Sequence, residues 1–269
     1  MSNAVNNKNI LITGINSSIG SAFAKELASN GWSVDGTYRN KNALCAEIQP
    51  LLDRLYEVDF SDTVSVSSWL PSVNFSKYNA IFFVHGAMSP IGKLAQVAYS
   101  EWLKTLQTNY LSIIQTLNQA LPNVRNGCKI LTLAGGGVNS APSGFNAYTA
   151  SKTSLVKMNE ILAAEYPDQI FLNIGPGWVE SAIHKQTMEA KDVVPSAYEE
   201  TIRRYKAQDF IQMDLVTESL LKLLNEADKS YSGRNFSVAS KEIFDQELLS
   251  KLEQNSDLFK LRRNERISQ

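Results

Sequence analysis

Tyr148 and Lys152, in the run Tyr148-Thr149-Ala150-Ser151-Lys152, are the side chains of this sequence best placed to move a proton. Residues i and i+4 of a helix share a face. An ammonium beside a phenol favours its ionised form, so Tyr148 would serve as a proton donor near neutral pH. A second run, Ile10-Leu11-Ile12-Thr13-Gly14-Ile15-Asn16-Ser17-Ser18-Ile19-Gly20-Ser21, passes from a β-rich stretch through small residues into a helical one. Glycines in such a turn let backbone amides approach a pyrophosphate at the positive end of a helix. The same turn also reads as a tight connection with Ser17 or Ser18 as its N-cap.

These groups need a frame. Ile10–Thr13, Ser33–Thr37, Leu55–Val58, Ala80–Val84, Lys129–Leu133 and Ile170–Ile174 read as strands separated by helical stretches, and Asn235–Val238 reads as a last strand. Alternation of this kind implies crossovers and a parallel sheet. Ala80-Ile81-Phe82-Phe83-Val84 is apolar at successive positions, as in a strand buried on both faces, so helices should cover both sides. Helical patterns run over Ile19–Asn30, Ala98–Leu121 and Ala147–Glu165, stopping at Asn30-Gly31, at Pro122 and before Pro167. The expected fold is a doubly wound α/β sheet forming one domain over 1–269. Residues 180–209 are unusually polar and read as a substrate loop or lid; residues 241–269 read as a helical tail that packs on the domain or on another subunit.

Composition narrows the function classes. The chain has 269 residues, 43% hydrophobic and 20% charged, with 26 basic and 27 acidic side chains, which fits a soluble globular protein. No stretch gathers enough Lys and Arg to track a phosphate backbone, so nucleic acid is not an expected partner. Cys45 and Cys128 lack the spacing of a metal site, and no metal is expected. The start Met1-Ser2-Asn3-Ala4-Val5 lacks the apolar run of a signal peptide, and no segment is apolar enough to span a membrane. The expectation is a cytoplasmic protein without membrane contact.

Together these residues resemble the short-chain dehydrogenase/reductase family, whose pattern joins a TGxxxGxG turn to a YxxxK pair far downstream. The resemblance covers roughly residues 8 to 240 and includes further matches in order. Asp59, in Val58-Asp59-Phe60, looks like the adenine-contacting Asp of the family. Val84-His85-Gly86-Ala87 stands where the family has NNAG, and Asn109 stands at the position of its catalytic Asn. Pro176-Gly177-Trp178-Val179-Glu180-Ser181 resembles the PGxVxT segment that closes over the nicotinamide.

The resemblance implies a Rossmann-fold NAD(P)-dependent oxidoreductase. Tyr148, Lys152 and Asn109 would be catalytic, with Asn109 holding a water through which Lys152 recovers its proton. Gly14, Asn16, Ser17, Ser18, Ile19 and Gly20 would seat the pyrophosphate, and Asp59 and Phe60 the adenine. His85, Gly86 and Ala87 would border the cofactor, with Pro176, Gly177, Val179 and Ser181 at the nicotinamide. His85 reads first as a partly buried histidine satisfied by backbone, and second as catalytic.

Two departures matter. Ser18 replaces a glycine of the first motif. Gly135, in Leu133-Ala134-Gly135-Gly136-Gly137-Val138, holds the position of the catalytic Ser that polarises the substrate carbonyl. Ser140 is the candidate replacement, and the amides of the glycine loop are the alternative.

After the second strand, Tyr38 stands where NAD-preferring relatives carry an acidic residue, and Arg39 follows. A guanidinium suits a phosphate dianion, so NADP(H) is favoured over NAD(H). Asp35 lies too early in the strand to take that role. His184, Lys185, Gln186, Arg203, Arg204 and Lys206 would suit a sugar, a nucleotide-sugar or a phosphorylated polyol. The Ala134–Gly137 and Gly175–Val179 strings resemble reductases of bacterial surface-polysaccharide biosynthesis. The reaction read from this is hydride transfer between NADP(H) and a carbonyl or secondary alcohol of a small molecule.

Two rival readings are a nucleotide-sugar epimerase or dehydratase with retained NAD, whose relatives carry a longer C-terminal substrate domain, and a catalytically silent NADP(H)-binding sensor. The family also implies a homodimer or homotetramer paired through Ala98–Leu121 and Ala147–Glu165.

Overall fold

Strands of this chain are short, the central ones are mostly apolar, and alternate residues face opposite layers. The computed structural model describes residues 8–40, 46–238 and 245–262; Cys45, Arg263 and part of the expected tail lie outside them. β1 (Lys8–Thr13), β2 (Trp32–Tyr38), β3 (Arg54–Glu57), β4 (Ala80–Phe83), β5 (Lys129–Leu133), β6 (Ile170–Gly175) and β7 (Arg234–Ser237) form one parallel sheet in the order β3-β2-β1-β4-β5-β6-β7. All seven strands read from the sequence are present, with ends displaced by at most two residues.

In β4, Ala80 and Phe82 join the apolar cluster on one face while Ile81 and Phe83 join that on the other. α1 (Ser18–Ser29) packs on the first face, and α2 (Thr63–Trp69) on the second. A long helical run on the second face divides into α3 (Tyr99–Leu106), a π-helical turn at Gln107–Leu111, and α4 (Ser112–Ala120). It is followed by α5 (Asn146–Glu165).

The segment expected as a loop at 180–209 is instead largely helical, with α6 (Ala182–Glu189) and α7 (Pro195–Ala207) packed on each other. α8 (Met213–Glu226) lies beside α1. α9 (Gln246–Gln254) packs on its own domain: Leu248 and Leu252 enter the core, and the buried Arg234 guanidinium donates to the carbonyls of Leu252, Asn255 and Leu258. Among the described residues no helix is long and apolar enough to cross a membrane.

Strand order reverses at β1, which pairs with β2 on one side and β4 on the other. A crevice at the carboxyl ends of the strands is expected at such a reversal. The ends of β1 and β4 touch there: Gly14 has φ +75°, and a Cβ on it would lie 2.8 Å from His85 Cα.

Candidate active site

The turn after β1 opens directly into the first turn of α1. Ser17 caps α1, its Oγ accepting from the Gly20 amide at 3.1 Å. Ser18 and Ile19, the first two residues of α1, leave their amides without intrahelical acceptors. Ser18 also lines an open cleft of about 540 Å³, together with Val179, Ser181, Lys185, Gln208 and Gln212. The glycine turn and this cleft fit a dinucleotide whose diphosphate lies over α1. Pro176 and Gly177 lead from β6 into the cleft wall, and the Trp178 carbonyl accepts from the Ile211 amide at 2.7 Å.

At the far end of β2, Arg39 is exposed and makes no ion pair among the described residues. Asp35 is buried within β2, where it takes the Lys77 ammonium and the Tyr78 hydroxyl, each at 2.6 Å. Asp59 Oδ1 accepts from the Ser61 amide and hydroxyl. Phe60 is buried, its ring stacked on the His85 imidazole at 3.8 Å between centroids.

His85 is held by side chains as well as by the Thr108 backbone that the sequence reading anticipated in kind. Its Nδ1 lies 2.6 Å from Thr13 Oγ1 and its Nε2 3.1 Å from Ser112 Oγ. Ser112 donates its single proton to the Thr108 carbonyl, so Nε2 carries the hydrogen and Nδ1 accepts from Thr13. Burial, with repulsion from Lys152, pushes the imidazole down to about 3. A neutral ring with both nitrogens engaged is a strut between β1, β4 and α4.

Asn109 sits in the π-helical turn, fully buried. Its side-chain amide accepts from Ala87 N–H at 2.7 Å, donates to the Ala87 carbonyl at 2.8 Å and donates to Ser151 Oγ at 3.0 Å. Ser151 in turn donates to the Tyr148 carbonyl at 2.7 Å. Ser151 was not singled out by sequence, although its place between Tyr148 and Lys152 is a signal: it ties the segment after β4 to the first turn of α5. This engagement makes the Asn109 side chain a brace.

Tyr148 and Lys152 are both buried on one face of α5, with Lys152 Nζ 5.9 Å from the phenol ring centre. A Cβ on Gly86 would lie 3.8 Å from that Nζ and 3.4 Å from Asn109 Oδ1, so the lysine reaches the end of β4. Burial dominates the electrostatics. It pushes the Tyr148 phenol up to about 12 and the Lys152 ammonium down to about 8. Desolvation alone sets the direction for the phenol, and the depression expected from the lysine is not seen.

Gly135 lies directly against Tyr148, whereas Ser140 is exposed and turns its hydroxyl back to the Gly136 carbonyl at 3.3 Å. The amides of Gly135, Gly136 and Gly137 donate to no acceptor among the described residues.

Four of the six polar residues expected to face substrate, His184, Gln186, Arg203 and Arg204, have other partners. Arg203 and Arg204 pair with Glu200 and Asp209. Arg204 also lies over the Trp178 ring, and His184 stacks on it at 3.9 Å. Gln186 contacts Ser89, Lys185 borders the cleft, and Lys206 is exposed.

Residues 14–240 match the family model described as enoyl-(acyl carrier protein) reductase. An uncharacterized oxidoreductase of Schizosaccharomyces pombe is 27% identical over 182 residues, 65% of this chain and 72% of that protein. The 3-oxoacyl-(acyl-carrier-protein) reductase of Escherichia coli K12 is 27% identical over 184 residues, 64% of this chain and 73% of that one. The chain spans about half the length, 52%, of mycobacterial relatives that it also matches. A short-chain dehydrogenase/reductase structure from Saccharomyces cerevisiae superposes with a TM-score of 0.78 at 20% identity, covering 88% of this chain and 98% of that one. That likeness is one of fold.

Proposed function

The chain belongs to the short-chain dehydrogenase/reductase family of NAD(P)-dependent oxidoreductases, and from that premise we propose that it reduces a small-molecule carbonyl with NADPH, or runs the reverse oxidation. The observation that carries the reading is the burial of Tyr148 and Lys152 on one face of α5, against the end of β4.

A bound reduced nicotinamide supplies the hydride. Tyr148, held neutral by burial, donates its proton to the carbonyl oxygen, so one hydride and one proton convert a ketone to an alcohol. Lys152 stands near enough to stabilise the phenolate that remains, and restores the proton. Gly135–Gly137 take the part of the family Ser, since their free amides can stabilise developing negative charge on oxygen. Asn109 positions Ala87 and, through Ser151, Tyr148.

The cofactor reading assigns the diphosphate to the Gly14–Gly20 turn and the adenosine to Asp59 and the strand ends. The nicotinamide falls to Val179 and Ser181. Arg39, exposed and without an ion pair among the described residues, supports NADP(H) over NAD(H), because a guanidinium can meet the extra phosphate. The resemblance to surface-polysaccharide reductases gains nothing from Arg203 and Arg204, which are held by Glu200 and Asp209. Exposed Leu103, Leu111 and Ile161 on the α3–α4 run and α5 support the homo-oligomer that the family implies.

The test is to titrate the protein with NADPH and NADH by fluorescence, then follow absorbance of the reduced nicotinamide with a panel of ketones. Tight NADPH binding and oxidation by at least one ketone are expected. Binding without turnover on any member would replace this reading with a silent cofactor-binding protein.

A further inference from the structure

The surface that α6, α7 and their connecting turn present toward Tyr148 is mainly apolar, and we infer that the substrate is an unhydroxylated ketone whose carbon flank packs against Val194. The inference rests on the oxidoreductase reading and assigns that site its substrate class.

Met88, Phe145, Tyr148 and Val194 form one buried cluster, with Ile183 and Ala190 packed against it. Val194 is its plug. It is 6% exposed, and a Cβ on Gly144, whose φ is +88°, would collide with Val194 Cγ1. The valine is fixed to both helices, since its amide donates to the Ala190 carbonyl at 3.0 Å and its carbonyl accepts from the Tyr198 amide at 2.9 Å. Moving Val194 therefore means moving the α6–α7 unit. That unit has few polar ties to the segment after β4: Thr187 Oγ1 to Met88 Sδ at 3.5 Å, and Ser89 Oγ to Gln186 Oε1 at 3.2 Å.

With Tyr148 only 9% exposed, a substrate reaches the phenol where these apolar groups now meet. Its carbonyl oxygen finds Tyr148 and the glycine-turn amides. Its flanks find Met88, Phe145 and Val194, whose one polar atom, the weakly accepting Met88 thioether, is already taken by the Thr187 hydroxyl. A polar group buried without a partner is penalised strongly. Arg203 and Arg204 of the same unit are held by Glu200, Asp209 and Trp178, while Lys185 borders the cleft beside Val179 and Ser181.

The matched pair 3-pentanone and 1,3-dihydroxyacetone tests this, because the two ketones differ only by methyl for hydroxyl at both ends. The electron-withdrawing hydroxyls make the second ketone intrinsically the more reactive. With NADPH, kcat/KM for 3-pentanone should exceed that for dihydroxyacetone by about 100-fold, roughly tenfold for each buried hydroxyl. Val194→Thr keeps the side-chain shape and adds a hydroxyl, and should shrink the ratio about tenfold. Val194→Ala, which only enlarges the space, should raise the preference for 4-heptanone over 3-pentanone. Equal or better turnover of dihydroxyacetone would overturn the substrate class while leaving the reductase reading intact. If neither ketone is reduced, binding of 3-pentanol and of its isostere glycerol to the NADP+-saturated protein, read by saturation-transfer NMR, decides. Binding of 3-pentanol that Val194→Thr weakens supports the apolar site and leaves the reductase reading to the wider ketone panel, whereas no preference between the two overturns the inference.

Discussion

Gly135 and Tyr148 are in mutual contact so close that a Cβ on the glycine would lie 2.7 Å from the tyrosine Cε1 and 3.0 Å from its hydroxyl. Restoring the family Ser at this position should therefore harm the enzyme, because the new side chain must displace the Tyr148 ring. Gly135→Ser is expected to lower kcat for ketone reduction at least about tenfold, in line with the cost of misplacing a reacting group. Ser140→Ala should leave kcat within about twofold, since its hydroxyl serves Gly136. A Gly135→Ser variant as active as the parent, or a large loss in Ser140→Ala, would return the polarising role to a serine.

In the proposed cofactor site Arg39 meets the extra phosphate of NADP(H). A charge-assisted contact to phosphate contributes about 1.5–3 kcal/mol, so Arg39→Asp should reduce the ratio of kcat/KM for NADPH over NADH by at least about tenfold. An unchanged ratio would remove Arg39 from the phosphate site.

His85 should make folding stability fall in acid. Its folded-state value is about 3 against the ordinary 6.5. Above pH 6.5 the ring is neutral in both states and its contribution is fully present. As pH falls from 6.5 toward 3 the unfolded chain takes up a proton that the native ring refuses, and stability is lost. Between pH 6.5 and 4.5 the loss amounts to about 2–3 kcal/mol. Urea titrations across this range should show a shallower decline for His85→Asn than for the parent, and parallel declines would mean that the ring is protonated in the native state.

How much of this was legible depends on the distance over which each contact acts. The strands were readable because their apolar runs are local, and so was the glycine turn, whose spacing is itself the signal. The π-helical turn at Gln107–Leu111 was not, because the apolar period of Ala98–Leu121 reads straight through it; what marks it is the contact of Asn109 with Ala87. His85 is held by Thr13 and Ser112, neither adjacent in sequence. Residues 180–209 read as a loop because their helices are short and polar outside. The pairing of Glu200 with Arg203 and Arg204 at helical spacing was a local sign that those arginines were already engaged. Ser140 was favoured for its nearness to Gly135 along the chain, and the short helical turn at Gly136–Asn139 directs it elsewhere.

The most direct test of the account is the Tyr148→Phe variant, assayed for NADPH affinity by fluorescence and for ketone reduction by absorbance. The variant should bind NADPH within about twofold of the parent while kcat falls by about 10²–10⁴-fold, the range for loss of a positioned proton donor. Reduction at a rate within a few-fold of the parent would contradict the assignment of Tyr148 as the group that protonates the carbonyl oxygen.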